Sequence, residues 1–458
     1  MSKSYFSIAV VLVGLLSSTA SPAQPKAAVP PSPTESNSRG KGNDPRVDQL
    51  VQAHGVPAAE AAERVAALAE VQQIVEQALG DDPDGFGGVW VDHVPTFKIV
   101  IAFTGAGDRK AFLDRLPAKS RRHVQIRNAA KPLAAAQKDV DQILQALSGA
   151  KIAFETYFEP RSQNYVVTVK DQSAAGTARG LIPAALRSAV NVRVGPVTET
   201  FQTNVRSGDQ VYGAWDLLDS GGQPTCTYGF AGRDSSGRDS ILTAGHCRTN
   251  PPFVIGASSD GNHLVQLPTA TATEMRYGDL YDFRYHPVVG LMTGYWVYFK
   301  NSKPVVGYTQ YVNTVAGVGP GDYFTVKGTV KQTSYNSNHY VDMPVCKSGY
   351  TTGFTCGKVV ANWVSGTDSK GVSYRGFVKV SGSSQPVIAF GGDSGGPVFS
   401  PPDSAYDIVA LGLLKGGGTN STGGPCVGSS CFYSYMPIDR VNDAFPFQIH
   451  TTQGLMMP

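Results

Sequence analysis

In "VPAAEAAERVAALAEVQQIVEQALG", residues 56–80, apolar side chains return every three or four positions. Val65, Leu68, Val71, Ile74, Val75 and Leu79 share one face, and Gly80 stands where a helix would stop. The spacing predicts a helix. Residues 88–103, "GVWVDHVPTFKIVIAF", read as two short strands with a turn near Pro95. A second helical face, Val140, Ile143, Leu144 and Leu147, runs through Lys131–Leu147, and a second hairpin pattern spans 154–169. Helix then hairpin, twice, predicts two similar α/β units before residue 200. Beyond residue 205 the helical period vanishes. Runs of Val, Tyr, Phe and Thr punctuated by Gly and Asn, as in "PVVGYTQYVNTVAGVGPGDYFTVKGTVKQTSY", predict an all-β sandwich or barrel.

Cysteine and charge divide the chain at the same place. All six cysteines, Cys226, Cys247, Cys346, Cys356, Cys426 and Cys431, follow residue 225. Residues 1–205 carry 22 Lys and Arg against 19 Asp and Glu, and residues 206–458 carry 17 against 17, so the net +3 lies wholly in the first half. A neutral second half without a basic run argues against nucleic acid as a partner. The start has the layout of a secretory signal: Lys3, an apolar run from Phe6 to Leu16, and small residues ahead of Ala20 and Ala23. That run is short for a bilayer span, and nothing later resembles one. The expected order is a signal peptide (1–23), a Pro- and Ser-rich disordered linker (24–43), an α/β region (44–205) and a β-rich part (206–458). An exported chain with six cysteines is expected to form disulfides, and their grouping favours 226 with 247, 346 with 356 and 426 with 431. A zinc site lacks close Cys-x-x-Cys pairs.

The candidate chemistry lies in two short stretches. "AFGGDSGGPVF", 389–399, holds Ser394 among glycines that let a ligand approach the backbone closely. "SILTAGHC", 240–247, offers His246 as the base a serine hydroxyl needs. An imidazole in that role needs a carboxylate on its other nitrogen. Asp282 in "GDLYDFRYHP" is the better candidate and Asp279 the alternative. Asp393 is expected to shape the loop. His263, His286 and His339 have no second ligand at metal spacing, so structural or exposed roles, and no metal, are expected.

"LTAGHC" and "GGDSGGPVF" resemble the histidine and serine motifs of the chymotrypsin-like serine peptidases. "VCKSGYTTGFTCG", 345–357, resembles the disulfide loop of the bacterial branch that includes alpha-lytic protease and the streptogrisins. The resemblance covers roughly 205–458, and more weakly the first half as a pro-region. It implies two packed six-stranded antiparallel β-barrels with the site between them. His246 and Asp282 would come from the first barrel and Ser394 from the second. Ser394 would attack the peptide carbonyl, His246 act as base then acid, Asp282 orient His246, and the N–H groups of Gly392 and Ser394 bind the oxyanion.

Two departures qualify that carry-over. The branch usually has a cysteine shortly before the nucleophile, but here the last pair sits in "GPCVGSSCFY", so one rim of the pocket would be stapled differently. In "ALGLLKGGGTN", Lys415, Gly416 and Gly417 stand where the family commonly has a serine before two glycines. Lys415 would approach Asp282, lean toward the pocket, or point to solvent. Ile388 replaces the aspartate of trypsin-like members, so an apolar or medium-sized side chain is the expected preference, with an acidic one next. The sequence thus predicts a secreted, monomeric serine endopeptidase that acts on proteins or peptides without cofactor or membrane. Its own pro-region would assist folding, which is slow for long-range strand pairings, and inhibit. The competing reading is an inactive binding protein on a peptidase scaffold.

Overall fold

The structure is a computed structural model. It describes residues 44–198 apart from 106 and 108, and most of 216–456. Outside it fall 1–43, 199–215, 219–223, 228, 248–252, 258–263, 269–273, 288–294, 301–302, 309–310, 314–322, 331–332, 350–351, 353, 369, 383–387, 405–406, 419–425, 427–430, 452–453 and 457–458. The signal and linker segments and His263 therefore lie outside the described residues.

The periodic stretch 56–80 folds as two helices, not one. α1 (Pro45–His54) is capped by Asp44, which accepts from the Arg46 N–H, and ends at Gly55 with φ 65°. α2 (Ala58–Leu68) and α3 (Val71–Asp81) follow, with the break at Ala69 and Glu70. Ala61 of α2 packs on Val47 and Leu50, whereas Val71, Ile74 and Val75 of α3 join a larger core. One straight helix would have to face two cores at once, and the break resolves the conflict.

The hairpin of β1 (Phe86–Asp92) and β2 (Lys98–Phe103) turns through a cis Val94–Pro95 peptide. Helices α4 (Lys110–Arg115) and α5 (Ala118–Arg121) then lead to β3 (Val124–Asn128), parallel to β2. The same order returns in α6 (Leu133–Ser148), the hairpin β4 (Phe154–Glu159) and β5 (Asn164–Val169), α7 (Gln172–Leu181), and β6 (Val190–Val194) parallel to β5. A parallel neighbour needs a crossover, and helices supply it both times.

After residue 205, helix is confined among the described residues to Ser334–Asn336 and Arg440–Ala444. Six strands close a ring: Pro344–Lys347, Thr355–Thr367, Ser373–Gly382, Phe432–Pro437, Asp407–Gly417 and Pro397–Phe399, each antiparallel to the next and the last to the first. The histidine-bearing part comprises a six-stranded sheet, which includes Asp239–Thr243, Glu274–Gly278 and Tyr281–Pro287, and a four-stranded sheet. One of the two expected barrels is thus a closed six-stranded ring. Among the described residues the other is two sheets with no ladder joining them.

The halves meet through backbone as well as side chains. β4 adds antiparallel to Thr355–Thr367, pairing Thr156 with Ser365 and Glu155 with Gly366, so β4–β6 extend the ring's sheet. Tyr157 and Val166 enter the core of the second half, and Tyr340 enters that of the first.

Candidate active site

His246 lies in the turn after Asp239–Thr243, and Asp282 is the second residue of Tyr281–Pro287, whose partner strand places Tyr277 opposite it. The His246 N–H donates to Asp282 Oδ1 at 2.9 Å, and the imidazole Nδ1 lies 3.0 and 2.8 Å from the two carboxylate oxygens. An acceptor-only carboxylate on Nδ1 requires the proton there, which leaves the Nε2 lone pair as the base. Asp282 is 1% exposed. Burial pushes its carboxyl up, but His246, Lys415 and the hydrogen bonds from His246 outweigh it and hold the carboxyl at about 2. Asp279 sits at φ 53° on the surface and pairs with Arg375, so it does not serve His246.

Ser394 occupies a loop in which glycine is obligatory at several points. Gly392 has φ 100° and Gly395 φ 82°, and a Cβ on Gly395 would lie 2.1 Å from Thr243 Oγ1. Among the described residues neither the Gly392 nor the Ser394 N–H donates to any acceptor, so two buried donors remain for a ligand. Ser394 Oγ donates to the Lys415 carbonyl at 3.3 Å rather than to His246. In the intact chain Ser394 is 0% and His246 5% exposed.

Two groups not singled out in the sequence hold this loop. Thr227 donates its N–H to the Ser394 carbonyl and its hydroxyl to the Gly392 carbonyl, both at 2.8 Å, while its own carbonyl accepts from Thr243 Oγ1 at 2.8 Å. It stitches the serine loop to the histidine strand beside the Cys226–Cys247 disulfide. Lys347 Nζ donates to Asp393 Oδ2 at 3.0 Å, and that carboxylate also accepts from the N–H groups of Thr352 and Phe390 at 3.0 Å. Burial lowers the Lys347 ammonium from its usual range, and Asp393 opposes this. Asp393 therefore anchors the loop. No sequence signal links Lys347 to Asp393 other than its place in the resembling loop.

The disulfides are Cys226–Cys247, Cys346–Cys356 and Cys426–Cys431, the grouping expected. Ile388 is 1% exposed and packs beside Gly382, where a Cβ would lie 2.6 Å from its Cγ2. Gly416 and Gly417 pair with Ser434 and Tyr433, with an irregularity in the ladder that leaves Lys415 out of it. Lys415 turns inward, its Nζ 3.4 Å from Asp282 Oδ2. His339 is a satisfied core residue bonded to the Tyr435 hydroxyl at 2.7 Å, and burial followed by Arg440 lowers it to about 3. His286 is buried.

A closed antiparallel ring carrying a Gly-Asp-Ser-Gly-Gly loop against a buried His–Asp pair is the architecture of chymotrypsin-like serine peptidases, and the second half of the chain resembles the streptogrisin-like branch of them. It is 29% identical over 222 residues to "Serine protease 2" of Streptomyces fradiae, a match that covers 48% of this chain and 99% of that protein. Solved structures with likeness include the Nocardiopsis protease NAPase, at TM-score 0.32 and 21% identity over 54% of this chain and 97% of that one. Another is the Cellulomonas bogoriensis chymotrypsin, at 0.32 and 22% over 53% and 99%. No family model matches the chain.

Proposed function

We propose that this chain is the precursor of a secreted serine endopeptidase. The observation that carries the reading is the pairing of His246 with buried Asp282, beside a serine loop in which the N–H groups of Gly392 and Ser394 are unclaimed. Ser394 Oγ exchanges its bond to the Lys415 carbonyl for one to His246 Nε2 and attacks the substrate's peptide carbonyl. His246 takes the proton and returns it to the leaving amine, while Asp282 keeps the proton on Nδ1 and stabilises the imidazolium. The two N–H groups receive the developing oxyanion, each donor worth about 3 kcal/mol. Water then repeats the sequence on the acyl-enzyme.

Residues 44–205 serve as a pro-region that assists folding and blocks the site. Strand addition through β4 supports the first role, because it presents a preformed edge to a ring of distant strands. Burial of Ser394 in the intact chain supports the second. So does the course of the segment after β6: Pro196 lies beside Gly418, where a Cβ would meet it at 3.2 Å, and Thr198 bonds Ser434 at 2.9 Å. Three disulfides and the apolar leader Phe6–Leu16 support export. Ile388 at the pocket favours an apolar or medium-sized substrate side chain.

The test is fluorophosphonate labelling of the secreted protein, with peptide mass spectrometry to locate the label. Label on Ser394 in a band of about 25–27 kDa, and none on Ser394→Ala, is expected. A folded, processed protein without label would favour the inactive-scaffold reading.

A further inference from the structure

A charged side chain in the dry interior needs a reason, and Lys415 is 1% exposed. Its Nζ lies 3.4 Å from Asp282 Oδ2, the oxygen that also faces His246 Nδ1 at 2.8 Å, and 4.0 Å from Asp368 Oδ2. The rings of Tyr277, Tyr374 and Phe377 surround it at 5.1, 5.0 and 5.3 Å. Asp368 is fixed from behind: its Oδ2 accepts from the Tyr277 hydroxyl at 2.7 Å, and its Oδ1 from the N–H groups of Lys370 and Val372 at 2.9 and 3.0 Å. The Tyr277 ring in turn lies 6.0 Å from the His246 ring. Because Lys415 sits at the ladder irregularity, its carbonyl takes the Ser394 hydroxyl while its ammonium takes Asp282.

We propose that Lys415 is a positioning residue of the catalytic machinery, an ammonium held in an aromatic cage that, with Asp368, sets the charge and orientation of the Asp282–His246 pair. The inference rests on the peptidase reading. Around the imidazole the charges are Asp282, Asp368 and Lys415, a net of minus one, with Arg284 on the Asp282 strand as the next cation. Glu155 and Lys379 form a neutral pair beyond the Tyr374 hydroxyl. An imidazole beside a net negative cluster gains basicity, and one beside a less negative cluster loses it. Removing Lys415 therefore makes the base easier to protonate, and removing the Asp368 charge makes it harder.

The experiment measures kcat/KM against pH for the secreted, processed protein on a peptide substrate, with Ser394 labelling as an independent check on the nucleophile. Lys415→Met should move the acid limb up by about one pH unit, Asp368→Asn should move it down by a similar amount, and the double variant should return it toward the parent. The double variant should still lose kcat, since nothing then braces the Asp282 oxygen. A purely structural role would lower activity at every pH without moving the limb in opposite directions. If Lys415→Met fails to fold, the near-isosteric Asp368→Asn decides alone, and an unmoved limb in it overturns the inference. A parent without label or activity overturns the peptidase reading instead.

Discussion

At the scale of single residues, two aspartates three positions apart take opposite parts, and backbone conformation separates them. Asp279 sits in the left-handed region at φ 53°, in the turn between two strands, where its side chain meets Arg375 at the surface. Asp282 lies on the strand proper and turns inward to His246. Asp282→Asn should leave the fold intact and lower kcat by about 10⁴, because an amide at that place favours the wrong imidazole tautomer. Asp279→Asn should change kcat less than about twofold. Steady-state kinetics on the two variants checks the assignment, and equal losses would refute it. The sequence favoured Asp282 only through the apolar strand that follows, and Lys347 illustrates why more was not legible. Its partner Asp393 is 46 positions away, and chain-local pattern carries no information about which distant carboxylate a buried ammonium will meet.

At the scale of elements, periodicity identified strands and helices wherever one face meets one core, and it failed where a segment serves two. The 56–80 helix breaks for that reason, and β4 departs from simple alternation for a related one. In "FETYFE" the glutamate at 155 reads as a solvent face, yet it is 0% exposed. It accepts from the Thr198 N–H at 3.0 Å and the Tyr374 hydroxyl at 3.2 Å, and it pairs with Lys379. Burial lowers the Lys379 ammonium from its usual range while Glu155 opposes this, so the strand addition depends on keeping the pair together. Glu155→Gln leaves a buried ammonium without its counter-charge and should destabilise the intact precursor by about 3–5 kcal/mol. Adding Lys379→Met should recover most of that loss. Urea unfolding of the Ser394→Ala precursor and its variants measures both, and a double variant no more stable than Glu155→Gln would show that the pair is not the cause.

At the scale of the whole molecule, the first half is held to the second by side chains that respond to pH as well as by the strand ladder. Asp342, 7% exposed on the second half, accepts from Arg161 of the first half at 2.6 Å and lies 2.6 Å from Lys358 of its own half. Burial raises its carboxyl, but hydrogen bonds from Lys358 and Arg161 and their charges outweigh it, so the carboxyl sits below its ordinary 3.8. Separation removes the Arg161 share and keeps the Lys358 share, so the carboxyl is more acidic when the halves are joined than when they are apart. The linkage follows in sign: the contact favours association fully above the separated value, and the benefit is lost as pH falls through the joined value. Arg161 is 37% exposed on its side chain, so solvent screens the pair and the effect is a few-fold change in affinity, not a switch. The cleaved pro-region should bind the mature Ser394→Ala enzyme a few-fold more weakly at pH 3 than at pH 6, and Arg161→Ala should flatten that dependence. Fluorescence anisotropy titration at the two pH values reads both. An unchanged slope in Arg161→Ala would move the pH response to some other contact between the halves, leaving the ladder of β4 on Thr355–Thr367 as the principal bond between them.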